Sequence, residues 1–313
     1  MRGTELNGTE VKTFGKRNRN RRNNALHLML LPGVILAFLF TYLPLMGSVM
    51  AFQNFRPTRG LINSPWVGLD NFRFVFGIPG SLRILRNTIY IASGKIVFSI
   101  LSSLLFALLL NELRNKYAKR SIQTFIYIPH FISWVVLSGI FIDILSPSSG
   151  IVNQILQYFG IGPIFFLGNT FWFPITMVIT DVWKGFGFGT VIYLAAITSI
   201  SPNLYEAAAI DGAGRLKQTW HITIPGMLPI IMLMCVLSLG NVLNAGFDQI
   251  FNMYNTAVYE TGDIIDTYVY RLGMQQQQWS PATAIGLLKS VVAFIFISLA
   301  YFFANKFVGY RVF

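Results

Sequence analysis

The chain has 313 residues, 54% of them hydrophobic and 12% charged, against a usual charged share of about 25%, and its mean hydropathy is +0.56. These values exclude a disordered chain, which needs low hydrophobicity, and a soluble enzyme of ordinary composition. The net charge of +12 sits in short basic islands between long apolar runs, which is the layout of a polytopic membrane protein rather than of a nucleic-acid binder. The single cysteine, Cys235, excludes an internal disulfide framework and a cysteine-rich metal site.

A spanning helix needs about 20 mainly apolar residues, and six stretches qualify. A basic tail, residues 1–26, precedes the first, from about His27 to Phe52. That run is too long for the apolar core of a signal peptide and no small-residue cleavage site follows it, so it reads as a helix. The second runs from about Asn87 to Leu110 and the third from about Ile122 to Leu145. The fourth, about Phe171 to Ile200, carries Pro174, Gly185, Gly187 and Gly189, which predict bends. The fifth covers about Ile222 to Phe247 and the sixth about Pro281 to Lys306. The fold class is therefore an all-α polytopic membrane protein with six transmembrane helices.

Lys and Arg counts set the orientation. The tail, the second and fourth loops and the C-terminus hold fifteen; the first, third and fifth loops hold six. Both termini are thus expected in the cytoplasm of a plasma-membrane protein. The first outer loop is the exception, with Arg56, Arg59, Arg73, Arg83 and Arg86 against one acid, Asp70. Snorkelling helix flanks account for these arginines; a docking surface for an acidic binding protein, or attraction of an acidic sugar, is the other account. Asp248, Glu260, Asp263 and Asp266 lie in or beside the fifth loop, which is rich in Tyr, Asn and Gln and is expected to fold as an outer cap.

No phosphate-binding loop is present: Gly94-Lys95 is followed by Ile96 and no glycine-rich cradle precedes it. His27, His130 and His221 stand without ligand-spaced partners. No catalytic residue, metal site or cofactor is expected in this chain, so energised transport would need either ions coupled to intramembrane charges or a separate ATPase.

The fourth loop, residues 201–221, carries the most specific signal. Ser201 suits an N-cap and Pro202 the first helical position. Tyr205 to Ile210 is helical by propensity, and Gly212 fits the left-handed residue that ends a helix. A second short helix from about Arg215 leads to Pro225. Ala207, Ala208 and Ala209 form a small-residue face, and Leu204, Ile210, Leu216 and Trp220 are too apolar for a solvated loop. Insertion into a partner's groove and rest on the lipid interface both fit this pattern.

The series Glu206-Ala207-Ala208, Asp211-Gly212-Ala213, Trp220, Ile224 and Pro225 resembles the EAA loop of permease subunits in bacterial ABC importers, in the shorter spacing common among carbohydrate permeases. Trp220 stands for the usual Phe and Ile224 for the usual Leu. Phe247 to Asn255, Gly262 to Arg271, Pro32-Gly33 and Trp66 to Phe72 are similar to the LplB-like branch of sugar permeases. The resemblance implies a type I importer (MetI-like) fold, with residues 27–306 as the six-helix permease domain, 201–221 as its coupling loop and 307–313 as a cytoplasmic end. It implies a second permease in a heterodimer, two ATPase subunits carrying ATP and Mg, and an extracytoplasmic solute-binding protein, working together as a sugar importer. Glu206, Ala207, Ala208, Asp211, Gly212, Ala213, Trp220 and Pro225 would then couple to the ATPases.

Polar groups within spans are costly and face a cavity or a partner helix. Asp181 and Lys184 lie three apart on the fourth span and either pair with each other or face the path. Lys95 and Lys289 are further candidates. Asn241, Asn244 and Asp248, with Tyr193, are expected to border a path for oligosaccharides or polysaccharide fragments. A permease for a non-sugar solute, and an ion-coupled carrier working through Asp181, Lys184 and Lys289, are the alternatives.

Overall fold

The computed structural model describes the backbone of residues 16–308 and the side chains of residues 27–302. The tail before residue 16 and the C-terminal end after Val308 lie outside the described residues. Among the described residues, five helices are long and apolar enough to cross a membrane: His27–Phe52, Ser81–Glu112, Trp172–Thr198, Arg215–Leu239 and Trp279–Phe302. Two further helices, Lys116–Phe131 and Trp134–Ile144, are bent by 102° and make a sixth crossing only as a pair. They correct the expected continuous third span. Pro129 withholds a donor near the end of the first piece, and the Ser133 side chain accepts from the Val136 N–H to start the second.

The fourth span, Trp172–Thr198, is one continuous helix through Pro174 and its three glycines. Pro174 falls in its first turn, where the N–H has no partner in the helix. Its glycines serve close packing instead. A Cβ at Gly187 would strike the Ile126 carbonyl, and one at Gly189 would strike the Ser103 hydroxyl. Gly94 on the second span plays the reciprocal part, since a Cβ there would lie 2.9 Å from Val178. The second and fourth spans thereby pack side by side as the central pair.

Prolines shape the other spans. A π-helical turn at Phe38–Tyr42 comes just before Pro44, and another at Thr219–Thr223 just before Pro225. A proline ring clashes with the carbonyl four residues back and removes a bond, and a widened turn accommodates that. The fifth span ends at Leu239 rather than near Phe247. Residues 240–246 are unwound, and a new helix runs Phe247–Met253.

Three buried clusters hold the body. One joins the end of the first span, the unwound stretch after the fifth and the sixth span through Ala51, Leu243 and Ile285. A second packs the outer cap, with Ile250, Val258 and Ile264, onto Ile91, Phe173 and Met177. The third, nearest the fourth loop, gathers Leu110, Tyr193, Ile197 and Met227. Replacing Gly187 with leucine is expected to lower the melting temperature of the solubilised protein, at a cost of about 1–3 kcal/mol for overpacking. Gly185→Ala, where a Cβ meets nothing within 4 Å, should leave it unchanged.

Candidate functional site

Non-helical backbone at membrane depth is tolerated only where protein buries it or where it lines a cavity. The unwound stretch 240–246 does both. Lys95 of the second span donates to the Ala245 carbonyl at 2.6 Å and to the Gln249 side-chain oxygen. Gln249 is fully buried and donates to the Met177 carbonyl at 2.9 Å and to Thr180 Oγ1 at 2.7 Å. Asp181 lies 3.4 Å from the Lys95 ammonium. On the other side of the stretch, Lys289 donates to Asn244 Oδ1 at 2.7 Å, and the Asn244 amide donates to Asn241 Oδ1 at 3.2 Å.

These groups surround a cavity of about 250 Å³ between the second, fourth and fifth spans, with Lys95, Ser99, Asp181, Tyr193, Asn241 and Asn244 among its lining residues. Tyr193 is 1% exposed, and its hydroxyl finds no hydrogen-bond partner among the described residues. Buried polar atoms are nearly always matched, so this oxygen is an unusual unpaired group buried beside the cavity.

Of the six residues expected along a path, Asp181, Tyr193, Asn241 and Asn244 come together here. Lys184 and Asp248 do not line the cavity. Asp181 and Lys184 do not pair either, because Asp181 turns to Lys95 while Lys184 donates to the His130 carbonyl at 2.9 Å, in the break of the third span, and lies over the Trp134 ring. Asp248 is exposed on the helix beyond the stretch. Asn241 and Asn244 belong to the unwound turn rather than to the outer half of a helix. Gln249 escaped sequence reasoning, because beside Asp248 and Asn252 it reads as one more polar residue of the fifth loop.

The fourth loop forms the helix Pro202–Ile210 on the surface. Pro202 occupies its first position as expected, but the Ser201 side chain makes no capping bond. Gly212 has φ +78, the Ala213 N–H reaches the Ala208 carbonyl at 2.8 Å and the Gly212 N–H the Ala209 carbonyl at 3.1 Å. That pair of bonds is the Schellman ending. The second short helix, Arg215–Gln218, is not separate, since it runs through the π turn into the fifth span. Two contacts fasten the loop: Tyr205 to Thr223 at 3.0 Å, and Arg215 to Glu112, at the end of the second span, at 2.5 Å. Ile210 and Leu216 are each 87% exposed and Trp220 70%. Large apolar groups left open on a structured loop mark an interaction surface.

The cap formed by the fifth loop is locked by a charge pair. Arg271 faces Asp263 through both nitrogens and stacks over Tyr259 and Tyr268. Asp263 also accepts from Thr267 at 2.8 Å. Burial, with a hydrogen bond to Tyr259, pushes the Tyr254 hydroxyl up to about 12, so it stays neutral.

A bundle of spanning helices with a polar cavity at a helix break and an apolar surface loop defines a multi-pass membrane permease. The chain matches the model of the binding-protein-dependent transport system inner membrane component family over residues 96–309. It is 41% identical over 287 residues to protein LplB of Bacillus subtilis, covering 92% of this chain and 90% of that protein. It is 40% identical over 300 residues to the polygalacturonan/rhamnogalacturonan transport system permease protein YteP of the same bacterium, covering 94% of each. A chain of a solved bacterial ABC transporter involved in import of the acidic polysaccharide alginate superposes with a TM-score of 0.86 at 36% identity, covering 93% of this chain and 98% of that one. The chain belongs to the family of inner membrane components of binding-protein-dependent transport systems.

Arg271→Leu should strand the buried Asp263 carboxylate and cost about 3–5 kcal/mol, read as a lower melting temperature. Arg271→Lys should recover only part of this, because lysine lacks the two-pronged geometry.

Proposed function

We propose that this chain is the permease subunit of an ATP-driven importer for oligosaccharides or polysaccharide fragments that carry acidic units. ATP hydrolysis takes place on separate subunits that dock on the fourth loop. A second permease completes the path, an extracytoplasmic binding protein delivers the sugar, and both termini of this chain face the cytoplasm. The observation that carries the reading is the polar cavity at the break of the fifth span, on the same helix that the surface loop feeds. A sugar passing there meets side-chain amides and a carboxylate, with the Tyr193 hydroxyl buried beside them, the group types that hydrogen-bond hydroxyl-rich ligands. The polygalacturonan/rhamnogalacturonan of the YteP system and the alginate of the solved importer support the acidic class. So do the exposed Arg56, Arg59, Arg83 and Arg86 at the outer face, which raise the local concentration of anionic chains. Membership of a binding-protein-dependent family favours this reading over the ion-coupled alternative.

In this reading Glu206, Ala207, Ala208, Asp211, Gly212 and Ala213 form the coupling helix and its turn. Trp220 and Pro225 shape its exit into the fifth span. Closure of the ATPases moves the loop, and the span transmits that motion to the cavity.

Co-purification of the tagged chain should bring down an ATPase and a second permease. Gly212→Val puts a β-branched residue at a left-handed position, a strain of at least about 1–2 kcal/mol. It should reduce sugar-stimulated ATPase activity while the chain still inserts. Asn241→Ala and Tyr193→Phe should slow uptake of oligogalacturonides into proteoliposomes by about tenfold for each charge-free hydrogen bond of about 1.5 kcal/mol lost. Unchanged uptake in both would remove the cavity from the path.

A further inference from the structure

Two lysines from different spans hold the unwound stretch 240–246, and their surroundings differ. Lys95 is 6% exposed. Its ammonium has three N–H donors and three acceptors around it, the Ala245 carbonyl, the Gln249 oxygen and the Asp181 carboxylate. Gly246 makes room for this contact: its φ is +89, and a Cβ there would lie 2.7 Å from the Lys95 nitrogen. Gln249 passes the attachment on to Met177 and Thr180 of the fourth span. The bonds to Ala245 and Gln249 are buried and Lys95 itself is almost closed to water, while Asp181 keeps 32% of its side-chain surface open, so removal of either buried partner leaves a buried ion short of a bond. This junction has no low-cost alternative arrangement.

Lys289 of the sixth span is built otherwise. It bridges Asn244 of the unwound stretch at 2.7 Å and Asp266 of the outer-cap helix Ile265–Tyr270 at 2.6 Å. The side chains of this pair keep 19% and 26% of their surface open, so water can take over each partner's bonds when they part. Two acceptors use two of its three donors. Through Asn244 and then Asn241 the bridge reaches the cavity wall.

We propose that Lys95 is the fixed rivet of the unwound stretch and that Lys289 with Asp266 is a releasable latch. Both are positioning residues. The latch ties the stretch that borders the path to the outer cap, and its release lets Asn241 and Asn244 swing while Lys95 keeps Ala245 and Gly246 in place. This inference rests on the cavity being part of the path.

The test uses the complete transporter, with partner permease, ATPase subunits and binding protein, in proteoliposomes. Lys289→Gln and Asp266→Asn each open the latch. Each is expected to raise ATP hydrolysis in the absence of binding protein and sugar by about fivefold or more, the lower end of ordinary site-to-site coupling. The double variant should do no more than either single one, and Lys289→Arg should keep the wild-type ratio of stimulated to unstimulated hydrolysis. Lys95→Met should lower the melting temperature and the yield without raising unstimulated hydrolysis. If the Lys289 and Asp266 variants keep the wild-type ratio, whether or not their melting temperature falls, the bridge is a static brace and the latch is overturned. If Lys95→Met raises unstimulated hydrolysis as they do, the division into rivet and latch is overturned. Unchanged uptake with both Asn241→Ala and Tyr193→Phe removes the cavity from the path instead, and that readout is separate from the sugar-free ATPase ratio.

Discussion

A helix interrupted inside a membrane has to replace its missing hydrogen bonds from other parts of the protein, and that requirement organises this chain. The fifth span stops at Leu239, and the stretch after it survives because Lys95 reaches across from the second span to the Ala245 carbonyl. Bringing an ammonium there obliges Asp181 and Gln249 to follow. Gln249 in turn needs Met177 and Thr180. A single break thus ties three spans together with polar bonds in a body otherwise held by apolar packing. The same bonds leave polar surface facing a cavity.

The two ends of the fifth span carry the two functional features. Its root continues from the surface loop through a π turn, and its tip is the unwound stretch. Between them lies a helix of alternating partners, packed against the fourth span near Tyr193 and Met227. A helix is stiff along its axis, so in the proposed mechanism a displacement at the loop would arrive at the cavity without needing a chain of side-chain rearrangements. The Arg215–Glu112 contact ties the same root to the second span, which brings Lys95. The spans that surround the cavity are therefore the ones that the loop touches.

Much of this was legible in the sequence where the signal was local. Run length found the spans, and Gly212 and Pro202 announced the surface helix because their backbone demands are intrinsic to the residue. What escaped depended on neighbours. The 102° bend of the third span hinges on Pro129 and Ser133, an ordinary pair that in another setting would kink a helix or merely cap one. Gly187 and Gly189 read as bends because spacing cannot distinguish a flexible glycine from one pressed against another helix. Asp181 and Lys184 have the spacing of a pair, yet each meets a stronger partner across the fold, and no local rule registers that competition. The end of the fifth span was misplaced by seven residues or more because Gly240 to Phe247 is apolar enough to continue it.

The first span belongs to this chain in a different sense from the others. From His27 to Met46 every side chain is exposed, and the span has a mean hydropathy of 2.2. The second span, nearly as apolar at 2.0, buries Asn87, Thr88 and Lys95 and relies on later segments to satisfy them. During synthesis the first can settle in lipid as soon as it emerges, whereas the second carries a polar debt until the fourth and fifth arrive. The first span is thus the one that depends least on the rest of the chain, and the second is settled only by segments that follow it.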